Sequence, residues 1–273
     1  METSILTKKR IEELLEKGKR LDNRAFNEFR QLEIEYDISN KAEGSTLVKL
    51  GDTQIIAGVK MDLMEPFRDS PNEGVLMVNA ELSPIASERF EMGPPQINSI
   101  ELARIIDRGI RESHCIDMKK LCVKEGEKVW AIMVDLYILN ADGNLLDAGN
   151  IAAVSALQTA VFPKINEENK VLFGEFTKEN LPISSLPITI TSYKIDSRFL
   201  MDPTQEEEDC AKARLSTNFV FDDKETYIHA MQKGGEEPFS ENEILEIIDE
   251  SMKQGQKIYN LVKASIDKHN KSK

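Results

Sequence analysis

The sequence predicts an α+β fold of two similar subdomains, each a mixed or antiparallel sheet packed with helices. Segments with strand-like alternation come first and a helical segment follows, and this order occurs twice along the chain. A stretch from Lys164 to Pro187, bounded and interrupted by proline, separates the two blocks. With 273 residues, 40% of them hydrophobic, the chain is long enough for one large core or two smaller ones. No residue-level repeat accompanies the two blocks, so their similarity is one of pattern.

Thr3 or Ser4 can cap a first helix ending near Lys17, with Ile5, Leu6, Ile11, Leu14 and Leu15 on one stripe and Gly18 as a stop, which reads as a docking helix over residues 1–17. Leu32 to Tyr36 alternates as a half-buried strand. Thr46 to Leu50, the turn Gly51-Asp52, and Thr53 to Lys60 make an antiparallel hairpin. Gly74 to Leu82 is an apolar strand. The loop Ser83 to Asn98, with Pro84, Gly93, Pro94 and Pro95, is long enough to be functional. A helix follows from about Asn98 to Ser113, then a strongly apolar strand Val129 to Leu139, a turn at Asp142-Gly143, and an Ala-rich buried helix Asn150 to Phe162 that Pro163 ends. Lys164 to Pro187 reads as a connection with one short strand, placing a first domain at 18–187 and a second at 188–273. In the second, strands are expected at Ile188 to Lys194, Phe199 to Met201, Leu215 to Phe221 and Thr226 to Met231. A long helix runs from Ser240 to Lys268. Ser240 and Glu243 form its capping box, and Ile244, Ile247, Ile248, Met252, Ile258, Leu261 and Val262 its apolar side.

Composition narrows the function classes. Three cysteines, with no CxxC pair, and three scattered histidines argue against a disulfide scaffold and a Cys/His zinc site, and point to a reducing, cytoplasmic setting. Ile151 to Pro163, the longest nearly apolar stretch, is too short and polar to span a bilayer, and the first residues lack a signal-peptide apolar region. The net charge of −13 is concentrated: Asp202 to Glu250 holds 15 acidic and 4 basic residues, net −11, which leaves −2 for the rest. A nearly neutral body can carry a local basic face, so acidity alone does not exclude a nucleic-acid partner.

Three places could carry chemistry. On the helix around Ser99 to Glu112, Arg104, Arg108 and Arg111 fall within a sector of roughly 60° at about 100° per residue, opposite Leu102, Ile105, Ile106 and Gly109. Such a row suits successive backbone phosphates, because each guanidinium donates in pairs and keeps its charge. The same spacing also permits an ordinary salt-bridged helix through Glu101, Asp107 and Glu112. Asp147-Ala148-Gly149-Asn150 offers either a helix-start anion site or simply an N-cap. The carboxylates of Asp202 to Asp209 offer either a hard-cation site or an acidic helix start.

Several motifs together resemble the RNase PH-like family over about Gly18 to Lys263. Arg20-Leu21-Asp22-Asn23-Arg24, with Arg30, resembles its opening Arg-x-Asp-Gly-Arg signature with Asn23 in the Gly place, and Ala42 to Thr53 resembles its Gly-Ser hairpin. Glu101 to Ser113 and Asp202-Pro203-Thr204 with Glu207-Glu208 are most similar to one branch, the catalytically silent ring subunit of the archaeal exosome. The resemblance implies 3′-to-5′ phosphorolysis of RNA, in which phosphate attacks the last phosphodiester. It also implies that catalytic members carry Asp-Gly-Gly-(Ser/Thr)-Arg at a helix start and a further Asp about a dozen residues beyond the counterpart of Asp202. Here those places are expected at 147–151, with Ile151 for the arginine, and at Arg214 for the acid, so no catalytic residue is expected in this chain. What the resemblance implies instead is RNA binding by Arg104 and Arg108, with Arg111 less firmly so. The expected partners are a catalytic paralogue in an alternating hexameric ring, RNA-binding cap subunits and single-stranded RNA, with no membrane. No cofactor is expected here, inorganic phosphate and Mg²⁺ belonging to the partner's active site. An active homohexameric phosphorolytic enzyme is the alternative.

Overall fold

The computed structural model describes residues 3–166, 170–222 and 224–272. Helix α1 (Ile5–Glu16) is capped by Ser4, whose Oγ accepts the Thr7 N–H at 3.1 Å. It docks through Ile11 and Leu15 onto Ile195, Leu200 and Cys210, whereas Ile5 and Leu6 are 75% and 81% exposed. The stripe expected from the sequence is therefore buried only in its second half, because the apolar surface beneath is met by Ile11 and Leu15 alone.

The first sheet has the order β1 (Leu32–Tyr36), β2 (Gly44–Leu50), β3 (Thr53–Met64), β6 (Lys128–Asn140), β4 (Val75–Leu82), with β5 (Cys122–Lys124) also on β6. The β2–β3 hairpin closes at Leu50 and Thr53 as its turn residues require. Strand β4 runs parallel to β6, so the chain must cross over between them, and the loop 83–96 and α2 (Ile97–Glu112) make that crossing. The second sheet is antiparallel throughout, in the order β10 (Arg198–Met201), β9 (Ile188–Ile195), β11 (Ala213–Phe221), β12 (Thr226–Gly235).

Helix α3 (Leu145–Thr159) lies between the sheets, packing on β2, β3 and β6 on one side and β9 on the other, and is buried almost all round, as its Ala-rich sequence requires. It begins five residues before the expected Asn150 and stops before Val161. Its N-cap, Asn144, makes no side-chain capping bond and has φ 52°, so no side-chain cap marked the start. Val161 and Phe162 belong instead to β7 (Val161–Ile165), which pairs with β8 (Val171–Asn180). The stretch expected as a connection is thus largely a hairpin, whose ten-residue second strand hides in the sequence among charged, exposed residues.

Helix α5 (Glu241–Ser272) carries the expected capping box: the Ser240 N–H donates to Glu243 Oε2 at 2.7 Å and the Glu243 N–H to Ser240 Oγ at 3.3 Å. Its buried face runs Ile247, Ser251, Gln254, Ile258, Val262, Ile266, stepping by three and four. Met252 and Leu261, expected on that face, are 37% and 57% exposed, because over 32 residues the seam follows the helix period through Ser251 and Gln254. Among the described residues no helix is long and apolar enough to cross a membrane.

Candidate nucleic-acid interface

The three arginines stand on one exposed face of α2, while Leu102, Ala103, Ile105, Ile106, Gly109 and Ile110 are buried, the helix packing mainly on β4 and α3 with Gly109 against Asn218 and Thr189 of the second sheet. Their acidic neighbours are shared out unevenly. Asp107 takes Arg111, accepting Nη2 at 2.7 Å and Nε at 3.2 Å, the pairing the helix spacing allowed. Glu101 does not pair with Arg104 but with Arg214 on β11, at 2.6 Å. Arg108 donates Nη1 to the neutral Gln232 Oε1 on β12 at 3.0 Å, which orients the guanidinium without cancelling its charge. Arg104 has no hydrogen-bond or ion-pair partner among the described residues. Neither partner on the second sheet could be found from local spacing.

Beside this face, between β4, β6, the loop 83–96 and the starts of α2 and α3, lies a cleft of about 730 Å³ whose walls include Arg89, Leu145, Leu146, Glu208, Asp209 and Arg214. The strand-to-helix junction here is Asp142-Gly143-Asn144-Leu145-Leu146. This junction, and not 147–151, is the helix start, and its fifth residue is Leu146. Gly143 has φ 79°, and a Cβ there would come within 2.5 Å of the Pro203 carbonyl, so the turn needs its glycine.

The start of α3 already has a carboxyl group from the same chain: the Asn144 N–H donates to Glu208 Oε2 at 2.9 Å, and Tyr193 Oη donates to Oε1 at 3.4 Å. Burial pushes the Glu208 carboxyl above its ordinary value, against the Asn144 N–H and the Arg214 charge. The cleft's two cations are also engaged, Arg214 by Glu101 and Arg89 by both oxygens of Asp209 at 2.7 Å. Burial raises the Asp209 carboxyl, but the bonds from Arg89 and Thr3 outweigh it and hold the group well below the carboxylate range.

The two other candidates from the sequence prove structural. Asp147 and Asn150 lie inside α3, fully buried, and not at its start. Asp147 accepts the Thr191 N–H at 3.1 Å and the Thr191 hydroxyl at 2.8 Å, tying α3 to β9, while burial raises its pKa to about 8. Because the folded value lies above the ordinary 3.8, the stability from neutral Asp147 is full below 3.8 and is lost as pH rises through about 8. Thermal scans should therefore show Asp147→Asn gaining on the natural protein by several degrees between pH 5 and pH 8.5; parallel curves would count against this.

The carboxylates at 202–209 serve as a joint. Asp202 accepts Arg24 Nη1 at 3.0 Å, Arg30 Nε at 2.9 Å, Arg30 Nη2 at 2.8 Å and Asn144 Nδ2 at 2.9 Å. Glu207, within α4 (Gln205–Glu208), caps that helix with Thr204 and accepts both Nε (3.0 Å) and Nη2 of the fully buried Arg20. The acidic run is therefore a helix start and an arginine receptor, with the oxygens of Asp202 and Glu207 engaged by arginines and Glu206 left exposed. Asn23, in the glycine place of the opening signature, has φ 63°, a left-handed conformation that Asn tolerates better than most residues.

Residues 28–163 match the 3′ exoribonuclease family, domain 1, and residues 185–254 match domain 2 of the same family, so the chain belongs to the RNase PH-like 3′ exoribonucleases. Within it, the chain is 45% identical over 244 residues to the exosome complex component Rrp42 of Archaeoglobus fulgidus, covering 89% of this chain and 91% of that one. It is 44% identical to the Rrp42 component of Methanothermobacter thermautotrophicus, covering 89% of each. Among solved structures it superposes on a chain of the Archaeoglobus fulgidus exosome with RNA bound to the active site, with TM-score 0.85 and 43% identity over 93% of this chain and 96% of that one. An archaeal exosome core gives 0.83 and 40% over 94% and 96%.

Proposed function

We propose that this chain is a non-catalytic ring subunit of an archaeal exosome, gripping single-stranded RNA and presenting its 3′ end to a catalytic RNase PH-like paralogue. The observation that carries the reading is the contrast between two neighbouring surfaces: an exposed arginine face left largely unpaired, and a cleft whose anion cradle is filled by Glu208 and whose helix start ends on Leu146. The first can bind a polyanion. In the second, the Asn144 N–H and the Arg214 guanidinium are already taken by carboxyl groups of the same chain, and Arg214 stands where an acid would. Arg104 and Arg108 are the principal RNA contacts, and Arg111 contributes only in competition with Asp107.

In this reading the chain alternates with its paralogue in a hexameric ring in the cytoplasm, under RNA-binding cap subunits, and inorganic phosphate and Mg²⁺ act at the paralogue's site. Exposed Ile85, Met92 and Ile97 around the loop 83–96 suit a surface that a neighbouring subunit covers. The filled cradle also disfavours an active homohexamer.

Purified without a paralogue and given RNA, phosphate and Mg²⁺, the chain is expected to release no nucleoside diphosphate, and the reconstituted ring to release it readily. Product from the chain alone would overturn the reading.

A further inference from the structure

Arg214 stands out because it lies on the second sheet yet pairs with an acid of α2 in the first domain. Its side chain crosses the edge strand β12 over Gly234, where a Cβ would lie 2.7 Å from its Cζ and 2.8 Å from Nη1, and it ends on Glu101 at 2.6 Å. Glu101 sits three residues before Arg104, one helical turn away on α2, and is the acidic neighbour best placed to pair with it. A carboxylate left free there would act twice against RNA, by engaging the guanidinium and by repelling an incoming phosphate.

We propose that Arg214 is a positioning residue for the RNA-binding face: by holding Glu101 in an ion pair across β12, it keeps Arg104 free for a backbone phosphate. The cation that replaces an acid in the cleft thereby serves the neighbouring helix of its own chain, and Gly234 is the gap that lets it reach. This inference rests on the RNA-binding reading of Arg104 and adds to it how that arginine is kept available.

The test is a set of substitutions in the reconstituted ring, with single-stranded RNA affinity measured across a salt series and ring assembly followed by light scattering. Arg214→Gln should weaken binding roughly fivefold and make the salt dependence shallower, toward the loss of one phosphate contact, about 0.7 in log K per log salt. Adding Glu101→Gln to it should restore both affinity and slope, and Arg214→Lys should behave like the natural ring. Gly234→Ala, which crowds the guanidinium off Glu101 but keeps its charge, should mimic Arg214→Gln, and it carries the test alone if Arg214→Gln fails to assemble. In an Arg104→Ala ring the Arg214 substitutions should have no further effect. If the double substitution stays weak while Arg104→Ala is also weak, Arg214 holds RNA itself and the proposal falls. If Arg104→Ala binds like the natural ring, the RNA-binding reading falls with it.

Discussion

Replacing Arg104 and Arg108 together by Glu is expected to weaken single-stranded RNA binding by the reconstituted ring about a hundredfold, taking each lost charged contact as about 1.5 kcal/mol. The salt dependence should become shallower by about 1.4 in log K per log salt, two contacts at about 0.7 each. Base preference should change little, since phosphate contacts position the strand without reading it. RNA degradation should slow in step, while ring assembly persists, because both side chains are exposed and the buried side of α2 is untouched. The competing picture, a salt-bridged helix, expects a destabilised ring with unchanged affinity per folded particle. Of the three acidic neighbours that picture needs, the structure pairs Asp107 with Arg111 and sends Glu101 to Arg214. Measuring assembly and affinity on one preparation separates the outcomes, and an intact ring with unaltered affinity and slope would remove both arginines from the interface.

Arg20→Met is expected to lower stability by about 3–5 kcal/mol, the cost of removing one partner of a buried ion pair. Both side chains of the Arg20–Glu207 pair are fully buried, and Arg20 also donates to the Met201 carbonyl at 3.0 Å and the Asp202 carbonyl at 2.8 Å. The substitution leaves the Glu207 carboxylate without its counter-charge inside the fold. For a chain of this size the midpoint of thermal unfolding should drop on the order of 6–20 °C. Adding Glu207→Gln should recover part of the loss, because the stranded charge is then gone. A double variant less stable than Arg20→Met would show instead that Glu207 acts mainly as the cap of α4.

The arginine face and the β2–β3 hairpin were legible because each depends on periods of two to four residues within one element. The capping box of α5 was legible for the same reason. The start of α3 was not, because its cap is a backbone conformation at Asn144 and not a side chain, so the helix start falls at 142–146 and not at 147–151. The helix start then ends on Leu146 where the sequence pattern suggests Ile151, and neither is an arginine. What no local pattern could show is the division of partners: Gln232 reaches Arg108 across 124 residues, and Glu101 turns to another sheet. The acidic run at 202–209 was ambiguous for a related reason, its receptors being Arg20, Arg24 and Arg30 near the other end of the chain.

That joint also sets an order in time. Arg20 lies 187 residues before Glu207, and Arg24 and Arg30 lie 178 and 172 before Asp202. At synthesis rates of about 5–20 residues per second, the three guanidiniums leave the ribosome roughly 10–40 s before the carboxylates that receive them. Until then the segment can reach only its earlier partners, such as Asp142, which receives Arg30 at 3.0 Å. A polypeptide cut short before Asp202 can form its hairpin but cannot seat Arg20 and Arg24 on their carboxylates, so this early stretch reaches its native contacts only after much of the second domain has been made.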